Sequence, residues 1–224
     1  MARPATIPKP SFRTERALAG GDCAFVAGVD EAGRGPWAGP VVAAAVIFEA
    51  GRAPKGVADS KLLSADERER LYDAIRKVAV VGVGIVAVDE IDAINILQAT
   101  FRAMGQAVAA LNVTPGAVLV DGNQCPPLPC RGVPIVDGDQ LCPSIAAASI
   151  IAKVTRDRLM VTLAQDFPGY RWETNKGYGT RDHAEGIVRL GITPHHRKSF
   201  APIKLAVEGR TAELMLSRVK PAQI

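Results

Sequence analysis

The sequence predicts an α/β layered fold built on a five-stranded mixed sheet flanked by helices. Three observations predict it. Five short runs rich in Val and Ile punctuate the chain, as strands prefer. Segments of helical periodicity lie between and after them, several opened by capping residues. Neither an internal repeat nor a linker separates two domains. The chain has 224 residues, 48% hydrophobic and 22% charged, with mean hydropathy +0.11. That composition suits a buried core and excludes wholesale disorder.

The strand candidates are Phe25–Val29, Val41–Phe48, Val80–Val88, Val118–Val120 and Val133–Val136. Ser64-Ala65-Asp66-Glu67 has the form of a capping box, and Leu71, Ile75 and Val78 follow at helical spacing. Asp89 is expected to cap the next helix, whose face runs Ile94, Leu97, Phe101, Met104, Val108 and Leu111. Ser144 is expected to cap a long helix to about Gln165, ended by Phe167-Pro168-Gly169-Tyr170. Thr180 opens another, closed by Gly191. Residues 202–217 read as a last amphipathic helix. Residues 1–20, rich in Pro, Thr and Arg without periodicity, read as a mobile tail.

Several classes are excluded at this level. No unbroken apolar run approaches the 18 or so residues of a membrane helix. The richest stretch, Val78–Val88, is interrupted by Gly82 and Gly84. Met1–Gly20 carries Arg3, Lys9, Arg13 and Arg16 but no apolar segment of a secretory signal, so a cytoplasmic location is expected. Cysteines 23, 125, 130 and 142 do not form two close pairs, and free thiols rather than a zinc site are expected. Charge is uneven: residues 171–224 hold ten Lys/Arg against five Asp/Glu, whereas 1–170 hold seventeen against eighteen. A near-neutral body with a basic C-terminal quarter suits a polyanionic partner.

The chemistry concentrates in a few places. Asp30-Glu31-Ala32-Gly33-Arg34-Gly35-Pro36 closes an apolar strand with two adjacent carboxylates. Ionised carboxylates at a strand end need compensation, which a hard divalent cation such as Mg²⁺ or Mn²⁺ offers. Neighbouring side chains of a strand point to opposite faces, so Asp30 and Glu31 do not chelate one ion as a simple pair. Asp121 follows Val118–Val120, and Asp139 follows Ile135-Val136-Asp137-Gly138. Acids at several strand ends can converge on one sheet edge, where mutual repulsion favours two divalent ions about 4 Å apart, an arrangement suited to phosphodiester displacement. Asp137 competes with Asp139 for this place. Gly33-Arg34-Gly35 is a loop whose amides can meet a phosphate or sugar hydroxyl, and it is neither a P-loop nor a dinucleotide fingerprint. Tyr178, between Gly177 and Gly179 and near Lys176 and Arg181, can stack on a sugar or base. His195-His196-Arg197-Lys198 reads as a solvated basic loop.

These segments resemble ribonuclease HII, the bacterial type 2 ribonuclease H, from about Phe25 to Ser217. The resemblance rests on Gly28–Pro36, Asp59-Ser-Lys-Leu-Leu-Ser64, Ile94–Thr100, Val120-Asp-Gly122, Ala146–Asp157, Asn175–Thr180 and His196-Arg-Lys-Ser-Phe200, in this order. It implies an RNase H-like fold: a flexible tail over 1–22, a catalytic domain over 23–198 and a packed helical extension over 199–224. It implies hydrolysis of RNA in RNA/DNA hybrids and a cut 5′ to a single ribonucleotide in duplex DNA, leaving 3′-hydroxyl and 5′-phosphate ends. Removal of misincorporated ribonucleotides is the implied role, carried out by a monomer whose partners are RNA/DNA hybrid and ribonucleotide-containing duplex DNA, with no membrane partner. The family's four metal-binding, catalytic acids fall on Asp30, Glu31, Asp121 and Asp139. Its ribose-reading motif falls on Gly33, Arg34 and Gly35, its junction-sensing tyrosine on Tyr178, and a phosphate-contacting lysine on Lys61. Asp137 departs from the family, where a basic residue is commoner. The related ribonuclease HIII carries an added N-terminal domain that the residues before Phe25 are too few to supply. Two other classes share part of this pattern: a hybrid-binding protein without catalysis, which needs no divalent ion, and a junction resolvase, which has no 2′-hydroxyl to read.

Overall fold

The computed structural model describes residues 9–20, 25–48 and 52–216. The outer parts of the expected tail, Cys23 and the last residues of the expected extension lie outside them. The strands are β1 (Val26–Ala32), β2 (Val41–Phe48), β3 (Ala79–Val86), β4 (Ala117–Asp121) and β5 (Arg131–Ile135). They form one mixed sheet in the order β3-β2-β1-β4-β5. The five expected strands are all present, β2 with the expected bounds and the other four with boundaries displaced by one to three residues. β1 pairs with β4 in parallel from Val26 opposite Ala117 to Val29 opposite Val120. β4 pairs with β5 in parallel, ending at Asp121 opposite Ile135.

The helices are α1 (Arg13–Leu18), α2 (Ala65–Val78), α3 (Val88–Ile94), α4 (Ile96–Ala109), α5 (Gly138–Leu141), α6 (Pro143–Asp166), α7 (Trp172–Asn175), α8 (Arg181–Leu190), α9 (Ala201–Val207) and α10 (Thr211–Leu216). Ser64 opens α2 with a full capping box: its hydroxyl accepts from the Glu67 amide, and the Glu67 carboxylate accepts from the Ser64 amide. The Thr180 hydroxyl likewise accepts from the His183 amide at the start of α8, and Gly191 closes that helix. None of the described helices is long and apolar enough to cross a membrane.

Five expectations need correction. Asp89 does not cap its helix; it lies in the first turn of α3, behind Ala87. The helix expected through Ile94–Leu111 breaks at Asn95, whose φ of 67° ends α3 and whose Oδ1 accepts from the Leu97 and Gln98 amides to open α4. Ser144 does not cap α6, because Pro143 takes the first helical position. The cap comes instead from Glu15, whose Oε1 accepts from the Ser144 amide (3.2 Å) and hydroxyl (2.8 Å). The stretch read as a mobile tail therefore contains α1, with Glu15 buried and the Ser11 amide bonded to the Leu141 carbonyl. Finally, the described part of 202–217 forms two helices, since Gly209 turns at φ 74° between α9 and α10.

Internal contacts divide the chain into two compact units. The first comprises residues to Ala32, Ala43–Gly84 and Phe101–Val154; the second comprises Gly33–Val42, Ile85–Thr100 and Thr155 onward. In the first, Val26, Ala117, Leu119, Cys142 and Ile145 form one buried cluster. The second has its own core of Trp37, Met160, Tyr170, Trp172, Ala184, Ile187, Ile203 and Leu214. Glycines let helices lie directly on the first unit's strands. A Cβ on Gly82 or Gly84 would sit about 2 Å from the Ala107 or Ala103 carbonyl oxygen of α4. A Cβ on Gly28 would lie 2.2 Å from the Ser144 carbonyl carbon. Because that neighbour is backbone, Gly28→Ala is expected to lower stability by about 1–3 kcal/mol, measured as a drop in denaturant midpoint at unchanged slope. An unchanged midpoint contradicts this account.

Candidate active site

Strand register builds the first part of the site. Val29 and Val120 are partners on adjacent parallel strands, so the residues that follow them, Asp30 and Asp121, emerge side by side. A short return supplies the third acid. Beyond β5, Asp137 adopts φ 53°, and the Gly138 amide donates to Asp121 Oδ1 at 2.8 Å. That bond draws the first turn of α5 against β4 and brings in Asp139. Carboxylate oxygens of Asp30, Asp121 and Asp139 all lie within 4.8 Å of one another. Asp30 and Asp139 are buried. Asp137 is exposed at the turn and outside this cluster. Glu31 also stands outside it, half-buried, with its amide donating to Asp30 Oδ1 at 2.6 Å.

Electrostatics follow from this crowding. Burial raises the Asp30 pKa well above the ordinary carboxylate value, and the charges of Glu31, Asp121 and Asp139 raise it further. Burial also raises Asp121, against the amide bonds of Gly138 and Asp139. Asp139 is pushed up to about 6 by burial and then by the charges of Asp59 and Asp121, with Lys61 opposing. Lys61 comes from a single 3₁₀ turn, Ser60–Leu62, for which the Asp59 side chain accepts from the Lys61 amide. Its ammonium lies 3.4 Å from Asp139 and 3.9 Å from Asp59. Burial works against that charge, but Asp59 and Asp139 outweigh it and raise the lysine pKa. Asp59 is thus a further buried carboxylate bordering the cluster, one that the sequence motif presents only as the neighbour of Lys61. Hard oxygen donors, close spacing and costly like charge fit a divalent cation of the Mg²⁺ class, and Asp30, Asp121 and Asp139 can hold it.

The second unit holds the other expected residues. Gly33 turns at φ 96°. A Cβ there would lie 2.0 Å from Arg156 Nε and 2.8 Å from the Pro40 carbonyl oxygen, so only glycine fits. Arg34 and Gly35 are exposed. A Cβ on Gly35 would lie 3.7 Å from Tyr178 Cε1, so the glycine loop and the tyrosine ring are neighbours. Two buried arginines stand behind the loop. Arg156 donates to the carbonyls of Pro40 (2.9 Å), Lys176 (2.9 Å) and Ala38 (3.1 Å). Arg197 donates to those of Gly33, Arg34, Gly39 and Pro40. Burial lowers their pKa values to about 10 and about 9.

His195–Lys198 is therefore not the solvated loop its composition suggests: His196 and Arg197 are fully buried. The Thr193 amide donates to His196 Nδ1 (2.9 Å), which places the His196 proton on Nε2. That N–H points at His183 Nε2 (3.1 Å), which also accepts from Trp172 Nε1 (3.0 Å). His183 consequently carries its proton on Nδ1 and donates it to the Tyr178 carbonyl (2.9 Å). Burial lowers His183 to about 4 and His196 to about 3, so both are neutral at pH 7. A neutral imidazole pair thus anchors the Tyr178 backbone. One signal for the buried arginines was present in the sequence: Arg156 interrupts the spacing Ala152, Arg156, Met160 on one helix face.

Carboxylates gathered beside parallel strand ends of a five-stranded α/β sheet define a nuclease-like site that could hold a metal ion. The family model described as Ribonuclease HII matches residues 27–203, and the chain belongs to that family. It is a type 2 ribonuclease H, a hydrolase that acts on nucleic acid. The ribonuclease HII of Rhodospirillum rubrum is 56% identical over 204 residues, covering 88% of this chain and 92% of that one. That of Rhizorhabdus wittichii is 58% identical over 178 residues, covering 80% and 88%. Among solved structures, ribonuclease H2 from Pyrococcus horikoshii aligns with TM-score 0.70 at 28% identity, covering 84% of this chain and 99% of that one. A Mn²⁺ complex of Bst-RNase HIII shares the fold, with TM-score 0.68 at 21% identity, covering 89% and 73%.

The acid cluster gives a signed pH prediction. Asp139 titrates near 6 when folded and near 3.8 in its ordinary state. The folded chain therefore binds that proton more tightly, and the charged form costs stability above about pH 6; the cost fades as pH falls toward 4. In EDTA, Asp139→Asn is expected to raise the melting temperature at pH 7.5 and to leave less gain on acidification to pH 5.5 than the parent shows. Equal gains in the two proteins contradict the cluster.

Proposed function

We propose that the chain is an endoribonuclease that hydrolyses the RNA strand of RNA/DNA hybrids. It also cuts 5′ to a single ribonucleotide within duplex DNA, leaving 3′-hydroxyl and 5′-phosphate ends, and serves the removal of misincorporated ribonucleotides. The observation that carries this reading is the convergence of Asp30, Asp121 and Asp139 in a chain of this family. With Glu31, these acids would hold two divalent ions, Mg²⁺ or Mn²⁺. Such ions, when bound, supply an activated water and neutralise charge on the leaving 3′-oxygen.

The chain's own residues do the rest. Asp121 accepts the Gly138 amide, so its orientation is set before any ligand arrives. Lys61, with its side chain largely exposed, offers an ammonium to a substrate phosphate. Gly33, Arg34 and Gly35 read the ribose 2′-hydroxyl, and Tyr178 stacks on the adjoining deoxyribose. The basic C-terminal quarter grips the backbone, so affinity falls as salt rises. In this reading 23–198 is the catalytic portion and 199–224 its helical extension, acting as a monomer.

A labelled DNA duplex with one internal ribonucleotide, beside an all-DNA control, tests the reading. Incubation with Mg²⁺ or Mn²⁺ is expected to give one cut 5′ to the ribonucleotide, abolished by EDTA, with the control intact. Asp121→Asn is expected to lower the cleavage rate by about 10²-fold or more while largely sparing duplex binding. Wild-type cleavage by that variant overturns the assignment of the acids; a cut in the all-DNA control overturns the ribose reader.

A further inference from the structure

Arg197 is fully buried, yet every hydrogen bond of its guanidinium goes to a main-chain carbonyl. Nε donates to Gly39 (2.9 Å), Nη1 to Arg34 (3.0 Å), and Nη2 to Gly33 (2.6 Å), Gly39 (2.8 Å) and Pro40 (3.1 Å). Burying a cation on neutral dipoles is costly, so a plain packing role is poorly served by arginine here. The residue is nonetheless held on several sides. Its amide donates to the Trp37 carbonyl, its guanidinium lies 5.1 Å from the Phe200 ring centre, and Ala38 and His196 form a β-bridge. The Asp92 carboxylate accepts from the Lys198 and Ser199 amides and fixes the following turn.

The two carbonyls at the head of the loop matter most. In a planar trans peptide the C=O and the next residue's N–H point in opposite directions. Arg197 holds the Gly33 and Arg34 carbonyls on its own side. The N–H groups of Arg34 and Gly35 are therefore aimed away from it, and these are the two exposed residues of the loop. A cation against each carbonyl also polarises the peptide and strengthens its N–H as a donor. A lysine cannot reproduce this, because one ammonium does not span four carbonyls with the fixed fork of a guanidinium.

We propose that Arg197 is a specificity-determining positioning residue: it aims and polarises the Arg34 and Gly35 amides so that they donate to the oxygen of a ribose 2′-hydroxyl. This rests on the reading of Gly33–Gly35 as the ribose reader. Arg197 touches no substrate in this role and acts through the two peptides.

The test compares duplex affinities that differ by one oxygen. Wild-type protein and Arg197→Lys are titrated in Ca²⁺ with a DNA duplex carrying one ribonucleotide and with its all-DNA counterpart, product formation being checked on a gel. Melting scans establish that each variant is folded. The wild type is expected to prefer the ribonucleotide duplex. Folded Arg197→Lys is expected to lose about tenfold of that preference, with all-DNA affinity unchanged, since misaligned donors forfeit the hydroxyl alone. A merely structural defect lowers both affinities together and overturns the proposal. A folded variant with wild-type preference also overturns it while leaving the ribose reader intact. A wild type without preference overturns the ribose reader itself. If the lysine variant does not fold, Arg197→Gln, which buries no charge, is judged by the same ratio.

Discussion

Like charges held together inside a protein must be compensated, and much of the first unit can be understood as the scaffold for one such repulsion. Parallel pairing of β1 with β4 sets Asp30 beside Asp121, and neither can move without breaking the ladder that ends at Val29 and Val120. The Gly138 amide ties the α5 turn to Asp121 and delivers a third carboxylate. Gly28 lets the start of α6 lie close on β1, and Glu15 caps that helix from far away in sequence. Each of these features resists relaxation, so the acids keep their protons more tightly than free carboxylates do. Strain of this electrostatic kind is what makes a small, hard cation welcome.

The second unit uses the opposite device. Its buried ionisable groups include two guanidiniums facing carbonyls and two imidazoles kept neutral by burial. Hydrogen bonds fix the proton positions of the imidazole pair, from Thr193 through His196 and His183 to the Tyr178 carbonyl. The polar interior fixes main-chain geometry at the glycine loop and at the tyrosine. Rigid backbone donors suit discrimination by a single hydroxyl, where a displacement of a fraction of an ångström decides a hydrogen bond.

Local chemistry was legible in the sequence where a signal and its structural consequence lie close together. The Val-rich strands, the Ser64 capping box and the Thr180 cap all depend on residues within one or two turns. The three converging acids were legible because each closes or closely follows an apolar run. Features made by distant partners were not. Nothing near Ser144 announces that Glu15 caps its helix, and nothing near His196 and Arg197 announces a buried pair, since their composition matches a surface loop. Asn95 was missed for a subtler reason: the apolar spacing runs on through it, although its side chain and its left-handed backbone end one helix and begin the next.

The reach of Arg197 has a consequence for synthesis. The guanidinium and the Gly33 carbonyl are 164 positions apart in the chain. A nascent chain emerges N-terminus first. The glycine loop therefore leaves the ribosome long before the side chain that organises its peptides. A chain that stops between residues 140 and 196 carries all the acids of the cluster and lacks Arg197. The part that grips the loop is made among the last.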